Sequence, residues 1–387
     1  MLYRNFGKTK EQVSILGFGC MRLPIIGSDP ADIDEEKAIK MIRYAIDQGV
    51  NYIDTAYPYH GTGMAKAGKS EPFLAKALKE GYREKVKIAT KLPSWLIKTR
   101  EDMDRYLNEQ LERLETDKID FYLVHSLNAI SWPRVEQLGV TQFLDQAIAD
   151  GRIGYAGFSF HDRVALFKKI VDAYDWSFCQ IQYNYVDETY QAGKEGLDYA
   201  ASKGLGIAIM EPLRGGKLVN PLPEETLQAF QQADQQRTPA EWALRWLWNQ
   251  PEIAVVLSGM TTMEQVIENI EVAKEGRANS LTEKEIAIVD TVKEVYKART
   301  KVDCTNCGYC MPCPFGVNIP ANFTRYNDYY KFGNPETIEK HKQLYHAWVK
   351  PEQQALNCKA CGKCQPHCPQ GIPISEELKK VHDFFQI

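Results

Sequence analysis

The stretch VKIATKLPSWLIKTREDMDRYLNEQLERLETDKIDFYLVHS (86–126) decides the fold. It begins with the apolar run VKIATKL (86–92) and ends with a second one, IDFYLVHS (119–126). Between the two runs, leucines recur at the three- and four-residue spacing of one helix face: Leu107, Leu111 and Leu114. A strand, a helix and a second strand in this order predict a unit whose two strands are parallel.

The same alternation runs through the first 300 residues. The strand candidates are ILGFG (15–19), NYIDTA (51–56), VKIATKL (86–92), IDFYLVHS (119–126), IGYAGFSF (153–160), FCQIQYNY (178–185), GIAIMEPL (206–213) and IAVVLSGM (253–260). Segments with helical spacing separate them, and a hairpin of Leu2–Phe6 with Glu11–Ile15 precedes them. Eight strands alternating with helices predict the α/β class, and within it a (β/α)8 TIM barrel. Active-site residues are then expected at the carboxyl ends of the strands.

Eight of the ten cysteines lie in two runs near the C-terminus, and each run ends in Cys-Pro. The first run contains Cys304, Cys307, Cys310 and Cys313, and the second contains Cys358, Cys361, Cys364 and Cys368. The second run has the bacterial-ferredoxin spacing, whereas the first lacks one residue before its last cysteine. The pattern predicts two [4Fe-4S] clusters, in which the fourth cysteine of each run can ligate the other cluster.

Disulfides and zinc sites are the two other uses open to these cysteines. Disulfides are disfavoured because the chain starts MLYRNFGKTK, with no apolar signal segment, so a reducing compartment is expected. Two four-cysteine zinc sites would also use all eight thiolates and stay an open alternative. Cys20 and Cys179 lie in apolar strand-like runs and are expected to be core residues.

Length and composition set the domain organisation and the class of partner. The 387 residues predict a barrel domain at 1–300, closed by a helix at 282–298, and a small, mainly helical iron–sulfur domain at 301–387. The net charge of −4 argues against a nucleic-acid partner. No apolar run approaches the length of a membrane span, so we expect a soluble, cytoplasmic protein without membrane contact.

Polar residues at three consecutive strand ends indicate chemistry. Asp54 and Tyr59 follow the second strand, Lys91 ends the third and His125 ends the fourth. Together with the opening pattern Ser14-x-Leu16-Gly17-x-Gly19 and with Glu268-Asn269, this set resembles the aldo-keto reductase superfamily over residues 1–300. With the cysteine runs, the whole chain resembles a group of bacterial and archaeal aldo-keto reductases that carry a C-terminal 4Fe-4S module.

The residue types suggest a role for each member of this set. Reduction of a carbonyl by hydride transfer builds negative charge on oxygen, and Tyr59 would donate the proton. Lys91, kept charged by Asp54, would lower the pKa of Tyr59, and His125 would orient the carbonyl. Taken singly, these residues also suit a buried ion pair, a core aromatic ring and a buried histidine.

The resemblance implies NADP or NAD as cofactor. It places Ser159 and Gln182 at the nicotinamide carboxamide, with Phe160 where the family usually has Asn, and Met210 where many members stack an aromatic ring. The remaining cofactor candidates are Pro212, Leu213, Arg214, Gly216 and Lys217, near the pyrophosphate, and Ser258, Gly259, Gln265, Glu268 and Asn269, near the adenosine. The basic turn 214–217 also suits a solvated loop. Gly259 and Gln265 cannot neutralise a 2′-phosphate, so only family habit favours NADP.

Three functions fit these observations. In the first, the protein reduces a small-molecule carbonyl with NAD(P)H, and the clusters are structural or regulatory. In the second, the clusters exchange electrons with an external, ferredoxin-like redox partner. In the third, the barrel is a scaffold of an electron-transfer subunit, although a scaffold has no need of the four strand-end residues. Trp95, Trp132 and Tyr57 are candidates for an apolar substrate pocket.

Overall fold

The computed structural model of this chain describes residues 1–306 and 308–386, so Cys307 lies outside the described residues. The chain divides into two compact units. The first holds Met1–Gly215 and Thr238–Leu281, and the second holds Gly216–Arg237 and the described residues from Thr282 onward.

The first unit contains the predicted barrel. Eight strands pair in parallel, each with the next along the chain, and the last closes onto the first. They are β3 (Leu16–Gly19), β4 (Tyr52–Asp54), β5 (Lys87–Leu92), β6 (Ile119–Leu127), β7 (Ile153–Phe160), β8 (Phe178–Gln182), β9 (Gly206–Met210) and β10 (Val255–Ser258). All eight predicted strands are confirmed, as is the preceding antiparallel hairpin, β1 (Tyr3–Asn5) with β2 (Gln12–Ser14).

Helices follow the strands, as the three- and four-residue spacing predicts. In chain order they are α1 (Glu35–Asp47), α2 (Ser70–Ala77), α3 (Arg100–Arg113), α4 (Ser131–Gln137), α5 (Val140–Ala149), α6 (Val164–Asp172), α7 (Gly193–Ser202), α8 (Glu224–Phe230), α9 (Pro239–Trp248), α10 (Met263–Ala273), α11 (Glu283–Ala298), α12 (Ile319–Phe332), α13 (Ile338–Trp348) and α14 (Ile374–Phe385). Helices α8 and α11–α14 belong to the second unit. Among the described residues, none of these helices combines the length and apolar character needed to span a bilayer.

The hairpin closes the amino end of the barrel. Phe6 is fully buried, and its ring centroid lies 4.9 Å from that of Phe121 and 5.2 Å from that of Phe178. The turn after it needs glycine, because Gly7 has φ 56° and a Cβ there would lie 2.1 Å from the backbone nitrogen of Gly206. Aromatic side chains therefore fill the amino end of the barrel, and the carboxyl ends of the strands remain for a site.

The second unit is mainly helical, as predicted, but its extent differs from the expected single boundary near residue 300. Helix α11 was expected to close the barrel. It packs on α8 within the second unit, and it buries Val289, Val292 and Tyr296. The ring of Tyr296 lies 5.3 Å from that of Phe332 on α12. This apolar face groups α11 with the C-terminal helices, whereas a functional boundary at 300/301 stays a prediction.

Candidate active site and cysteine-lined cavities

The four strand-end residues of the catalytic prediction lie together at the carboxyl ends of β4, β5 and β6. The ammonium group of Lys91 is completely buried and donates to Asp54 Oδ2 at 2.6 Å and to the carbonyl oxygen of Thr55 at 2.6 Å. It also lies 3.5 Å from the hydroxyl of Tyr59. A buried ammonium group needs such partners, because desolvation otherwise disfavours its charge. Lys91 therefore joins the carboxylate to the phenol.

The loop after β4 fixes Tyr59 through its backbone. The carbonyl oxygen of Tyr59 accepts from the backbone N–H of Ser70 at 3.2 Å, at the start of α2. Gly68 packs against the same carbonyl, where a Cβ would lie 1.9 Å from the oxygen. Only glycine allows this approach, so residues 59–70 hold the phenol beside Lys91.

His125 lies where the ladder between β6 and β7 is irregular. The pairing shifts register between Val124 and Leu127, and Ser126 has φ 56°. Irregularities of this kind re-aim side chains next to active sites. The ring centroid of His125 lies 6.3 Å from that of Tyr59 and 5.0 Å from that of Trp95. Within the described part of the chain, its Nδ1 has no hydrogen-bond partner.

A network of buried polar side chains contacts the strand β5 backbone at Lys91. The hydroxyl of Thr90 donates to Glu71 Oε1 at 2.7 Å, and the amide of Gln110 donates to the same oxygen at 2.6 Å. Gln110 also donates to the carbonyl oxygen of Lys91 at 3.2 Å. The sequence interpretation did not include Glu71 or Gln110, because the two residues lie on different helices, α2 and α3, and no spacing pattern links them. The hydrogen bonds of Glu71 and Gln110 hold the backbone of Lys91 in place.

Burial dominates the acid–base properties of this group. It raises the pKa of the Asp54 carboxyl and lowers the pKa of the Lys91 ammonium, while their mutual attraction opposes both shifts. The pKa of Tyr59 is raised well above 10, first by burial and then by the charges of Asp54 and Glu211. In the free protein, burial and the carboxylates of Asp54 and Glu211 outweigh the lowering of the Tyr59 pKa that was expected from Lys91.

The pKa of His125 is lowered well below 6.5, first by burial and then by the charge of Lys91. The ring is therefore neutral at pH 7, and one nitrogen carries a proton that it can donate. Its contribution to stability is present above the unfolded pKa of about 6.5, and it is lost as the pH falls below that value, because only the unfolded chain then binds the proton.

We expect the variant His125→Gln to lose this acid dependence. Below pH 6.5, the wild-type free energy of unfolding should fall up to about 1.4 kcal/mol per pH unit more steeply than that of the variant. Urea denaturation of both proteins at pH 7.5, 6.5 and 5.5 measures the difference between the slopes. Parallel slopes would show that His125 is protonated in the folded protein as readily as in the unfolded chain.

The predicted carboxamide residues lie on adjacent strands. The Ser159 hydroxyl on β7 accepts from the backbone N–H of Ser126 at 2.7 Å and so also steadies the residue after His125. Gln182 ends β8 and donates to Asp187 Oδ2 at 2.9 Å. Phe160, which stands where the family usually has Asn, is buried with its ring centroid 5.2 Å from that of Phe167. It belongs to the core.

The segment after β9 is divided between the two units. Met210 ends the strand, and its sulfur accepts from the amide of Gln180 at 3.6 Å. Pro212 is buried, and Leu213 is half-buried. Arg214 forms an ion pair with Asp187 in which the two side chains are 16% and 7% exposed. Gly216 and Lys217 belong to the second unit, where Lys217 Nζ lies 3.3 Å from Asp328 Oδ2. Arg214 of the predicted basic turn is thus not a solvated charge, whereas the paired Lys217 side chain is still 34% exposed.

The residues after β10 mostly bind one another. Asn269, expected at the adenine, is buried and donates to the Ser258 hydroxyl at 3.0 Å. Gln265 accepts from the backbone N–H of Thr261 at 2.8 Å, and Glu268 accepts from the Thr238 hydroxyl. Gly259 follows Ser258 and packs against the side chain of Arg22.

Arg22 and Glu211 are charged residues of this region that the sequence interpretation missed. Arg22 Nη2 lies 3.4 Å from Glu211 Oε1. Both charges reach Tyr59, since Arg22 lowers the pKa of the phenol and Glu211 raises it. Arg22 lies three residues beyond the glycine pattern that ends at Gly19, and no motif marked it.

Of the three aromatic pocket candidates, one has its ring beside that of His125. Trp95 neighbours His125, and its indole N–H donates to the carbonyl oxygen of Met64 at 2.8 Å. Trp132 is buried with its ring centroid 6.4 Å from that of Trp176. Tyr57 donates to Glu109 Oε1 at 3.2 Å. Trp132 thus packs in the core, and Tyr57 is tied to Glu109 on α3.

Two cavities in the second unit are lined by cysteines from both runs. The first cavity has Cys304 and Cys310 of the first run together with Cys368, the last cysteine of the second run. It encloses about 310 Å³, part of it open to solvent. Cys307, expected at the same cluster, lies outside the described residues. The last cysteine of the second run thus lies with cysteines of the first run, as the expected exchange requires.

The second cavity has the reciprocal composition. Its cysteines are Cys358, Cys361 and Cys364 of the second run and Cys313, the last cysteine of the first run. It encloses about 320 Å³, also partly open to solvent. Ile319 lines both cavities and is fully buried between them. The donor sets fit the exchange of last cysteines expected for a two-cluster ferredoxin.

Within the described residues, 1–306 and 308–386, no three His, Cys, Asp or Glu side chains are grouped so that they could hold one metal ion. Cys20 and Cys179 are buried free thiols in the core, as predicted.

Comparison with known proteins supports the predictions for both the barrel region and the cysteine-rich region. Residues 15–294 match the model of the aldo/keto reductase family, and residues 303–373 match that of the 4Fe-4S dicluster domain. A "probable aldo-keto reductase 1" of Glycine max is 29% identical over 293 residues, which cover 67% of this chain and 80% of that protein. A "6-dehydroglucose reductase" of Novosphingobium aromaticivorans is 28% identical over 288 residues, covering 70% and 90%.

Solved structures of aldo-keto reductases are also similar to this chain. The aldo-keto reductase AKR11C1 from Bacillus halodurans, in its holo form, superimposes with a TM-score of 0.62 at 25% identity. The match covers 76% of this chain and 96% of that one. Because the family model spans more than half of the sequence and the barrel carries the signature residues at its strand ends, this chain belongs to the aldo/keto reductase family, as an oxidoreductase with a C-terminal 4Fe-4S dicluster domain.

Proposed function

We propose that this protein reduces a small-molecule aldehyde or ketone with NAD(P)H, and that Tyr59 donates the proton. The observation that carries the proposal is the buried Asp54–Lys91 pair, whose ammonium group lies 3.5 Å from the Tyr59 hydroxyl, with His125 beside it. A structural ion pair has no need of a phenol and an imidazole on the same side. Perturbed groups that converge at strand ends are typical of catalytic sites in barrels.

Each group has a task that its surroundings support. The high pKa of Tyr59 keeps the phenol protonated at neutral pH, so that it can donate. As the proton leaves, Lys91 stabilises the phenolate, because the ammonium group is close and water is excluded. Neutral His125 would donate to the carbonyl oxygen and orient the substrate. Trp95 would form an apolar wall next to it.

A nicotinamide dinucleotide would supply the hydride. The donor set at the ends of β7 and β8 suits its carboxamide, since the Ser159 hydroxyl and the Gln182 amide lie on neighbouring strands. Met210 would pack on the ring through its thioether. No residue favours NADP over NAD, so that choice rests on family habit. A cytoplasmic location without nucleic-acid or membrane partners belongs to the same proposal.

In this proposal the second unit holds two [4Fe-4S] clusters that stabilise it. Cys304, Cys310 and Cys368, with Cys307, would hold one, and Cys313 with Cys358, Cys361 and Cys364 would hold the other. Cluster ligation would supply folding energy to a small helical unit, as structural metals do. A hydride moves two electrons at once, whereas a cluster passes one, so carbonyl reduction does not require the clusters.

One observation favours the second candidate, electron exchange with a partner protein. Cys361 is exposed, and the neighbouring Lys359 and Lys363 are exposed as well. A cluster held by this cysteine would lie near the surface under a positive potential. An acidic, ferredoxin-like electron carrier would fit such a surface.

The two candidates make different predictions for protein purified without oxygen. We expect about eight iron atoms per chain, and EPR signals of reduced clusters with dithionite but not with NADPH or NADH. We further expect that Cys361→Ser reduces an aldehyde panel at the wild-type rate. Iron analysis, EPR titration and NAD(P)H oxidation assays measure these quantities.

Other results would change the assignment. Reduction of the clusters by NADPH or NADH would favour the electron-transfer candidate. Absence of iron, with zinc in its place, would overturn the cluster assignment. Loss of folding in Cys361→Ser would support a structural role for its cluster. Failure of every aldehyde and ketone to oxidise NAD(P)H would contradict the proposed carbonyl reduction.

A further inference from the structure

The cations that the sequence assigns to the phosphates of the cofactor are already bound by carboxylates. Arg214 is held in a buried pair with Asp187, and Lys217 pairs with Asp328 within the second unit. After β10, Gly259 and Gln265 carry no charge. A dinucleotide brings at least two negative charges, so the proposed function calls for a cation elsewhere at this end of the barrel.

Arg22 occupies the right place for this charge. Its stem lies on Gly259, where a Cβ would be 3.1–3.2 Å from the β, γ and δ carbons of Arg22. Its guanidinium group reaches the loop after β9, where a Cβ on Gly215 would lie 3.1 Å from Nη2. The side chain therefore joins the loops after β10 and β9 across two glycines. A larger residue at either position would displace it.

The charge of Arg22 is also available to a ligand. Its pair with Glu211 is 3.4 Å long, and the two side chains are 44% and 34% exposed. Water and salt screen such a pair, so an incoming phosphate can replace the carboxylate at little cost. Arg214 differs, because breaking its buried pair would leave the Asp187 charge unpaired and desolvated. An arginine fork also suits bidentate contact with phosphate oxygens.

We propose that Arg22 binds the pyrophosphate of the nicotinamide dinucleotide, and that Glu211 holds Arg22 in place until the cofactor replaces it. This inference rests on the proposed function. The pyrophosphate is favoured over the 2′-phosphate because only the stem of Arg22 contacts Gly259, whereas the guanidinium group points to Gly215 and Glu211. NADH and NADPH share the pyrophosphate, so Arg22 would not discriminate between them.

Fluorescence titration of the full chain with NADH, NADPH and ADP-ribose tests the proposal. We expect Arg22→Gln to weaken binding of all three by about tenfold or more, because each loses a charge-assisted contact. Arg22→Lys should restore part of the loss. Glu211→Gln should tighten binding of all three, since it removes the competing carboxylate. The matched control is Arg277→Gln, which removes an exposed arginine paired with Glu275 at 2.8 Å and should change nothing.

Other results of these titrations would contradict either the role of Arg22 or the proposed function. Unchanged binding in Arg22→Gln overturns the proposal, and so does a loss confined to NADPH, which would assign Arg22 to the 2′-phosphate. If Arg22→Gln does not fold, as judged by thermal denaturation, weaker or unchanged binding in Glu211→Gln overturns the proposal instead. If the wild-type protein binds none of the three ligands, the proposed function itself fails.

Discussion

Replacing Tyr59 by phenylalanine should lower kcat/KM for aldehyde reduction by about 10²–10⁴-fold. The change removes one oxygen atom, the proposed proton donor, and leaves the ring in place. Within residues 1–306 and 308–386, the hydrogen-bond partner of that oxygen is Lys91 Nζ at 3.5 Å, so its removal costs little packing. Steady-state oxidation of NADPH over a range of aldehyde concentrations measures the effect. Fluorescence titration should show that cofactor binding is retained.

Tyr57→Phe is the matched control for this experiment. It makes the same chemical change two residues away, where the hydroxyl donates to Glu109. Desolvation and the charge of Glu109 raise the pKa of Tyr57 to about 12, so this phenol is a weak proton donor at neutral pH. Its activity should stay near the wild-type value. Unchanged turnover in Tyr59→Phe would remove Tyr59 from the mechanism, whereas equal losses in both variants would point to damage of the loop.

The fold could be predicted from the sequence because local patterns and global topology agree. Each strand candidate is short, apolar and separated from the next by a helical segment, and such an order leaves few arrangements besides a closed parallel barrel. The predicted run 253–260 corresponds to β10 at Val255–Ser258, the run 153–160 coincides with β7, and the ends of the other runs lie within three residues of the observed strand ends. The partner of α11 could not be predicted in the same way. Its apolar face shows that it packs, but not whether it packs on the barrel or on α8.

The candidate site was predictable only where its residues follow a sequence pattern. Asp54, Lys91 and His125 end consecutive strands, so barrel geometry brings them together. The partners that decide how other residues act come from distant segments. Arg214 lies 27 residues from its partner Asp187, and no spacing rule links them. The raised pKa of Tyr59 likewise reflects burial and the charges of Asp54 and Glu211, which a motif does not report.

Replacing Lys91 by methionine should have the largest effect on stability. The change leaves Asp54, which is almost completely buried, without its counter-ion, and removal of one partner from such a pair costs about 3–5 kcal/mol. Reduction activity should fall as well, because the phenolate of Tyr59 loses its ammonium group. Urea denaturation at pH 7 measures the free energy of unfolding, and the exposed pair of Lys76 with Glu35 supplies a control in Lys76→Met, which should change it little.

The pH dependence of Lys91→Met shows whether the unpaired carboxylate is the cause. Burial already raises the pKa of Asp54, and removal of Lys91 removes the attraction that opposes this shift. A carboxyl with a raised pKa stabilises the folded state below its unfolded pKa of about 3.9, and that stabilisation is lost as the pH rises through the folded pKa. The deficit of the variant should therefore shrink as the pH is lowered from 7 towards 4.

The double variant Asp54→Asn/Lys91→Met separates the stability of the pair from its role in catalysis. It contains no buried charge at these positions, so it should regain much of the lost stability. The carbonyl oxygen of Thr55 still lacks its donor, which keeps the recovery incomplete. Reduction activity should stay low, because neither asparagine nor methionine stabilises a phenolate. A double variant that regains activity together with stability would reduce the Asp54–Lys91 pair to a structural element of the barrel.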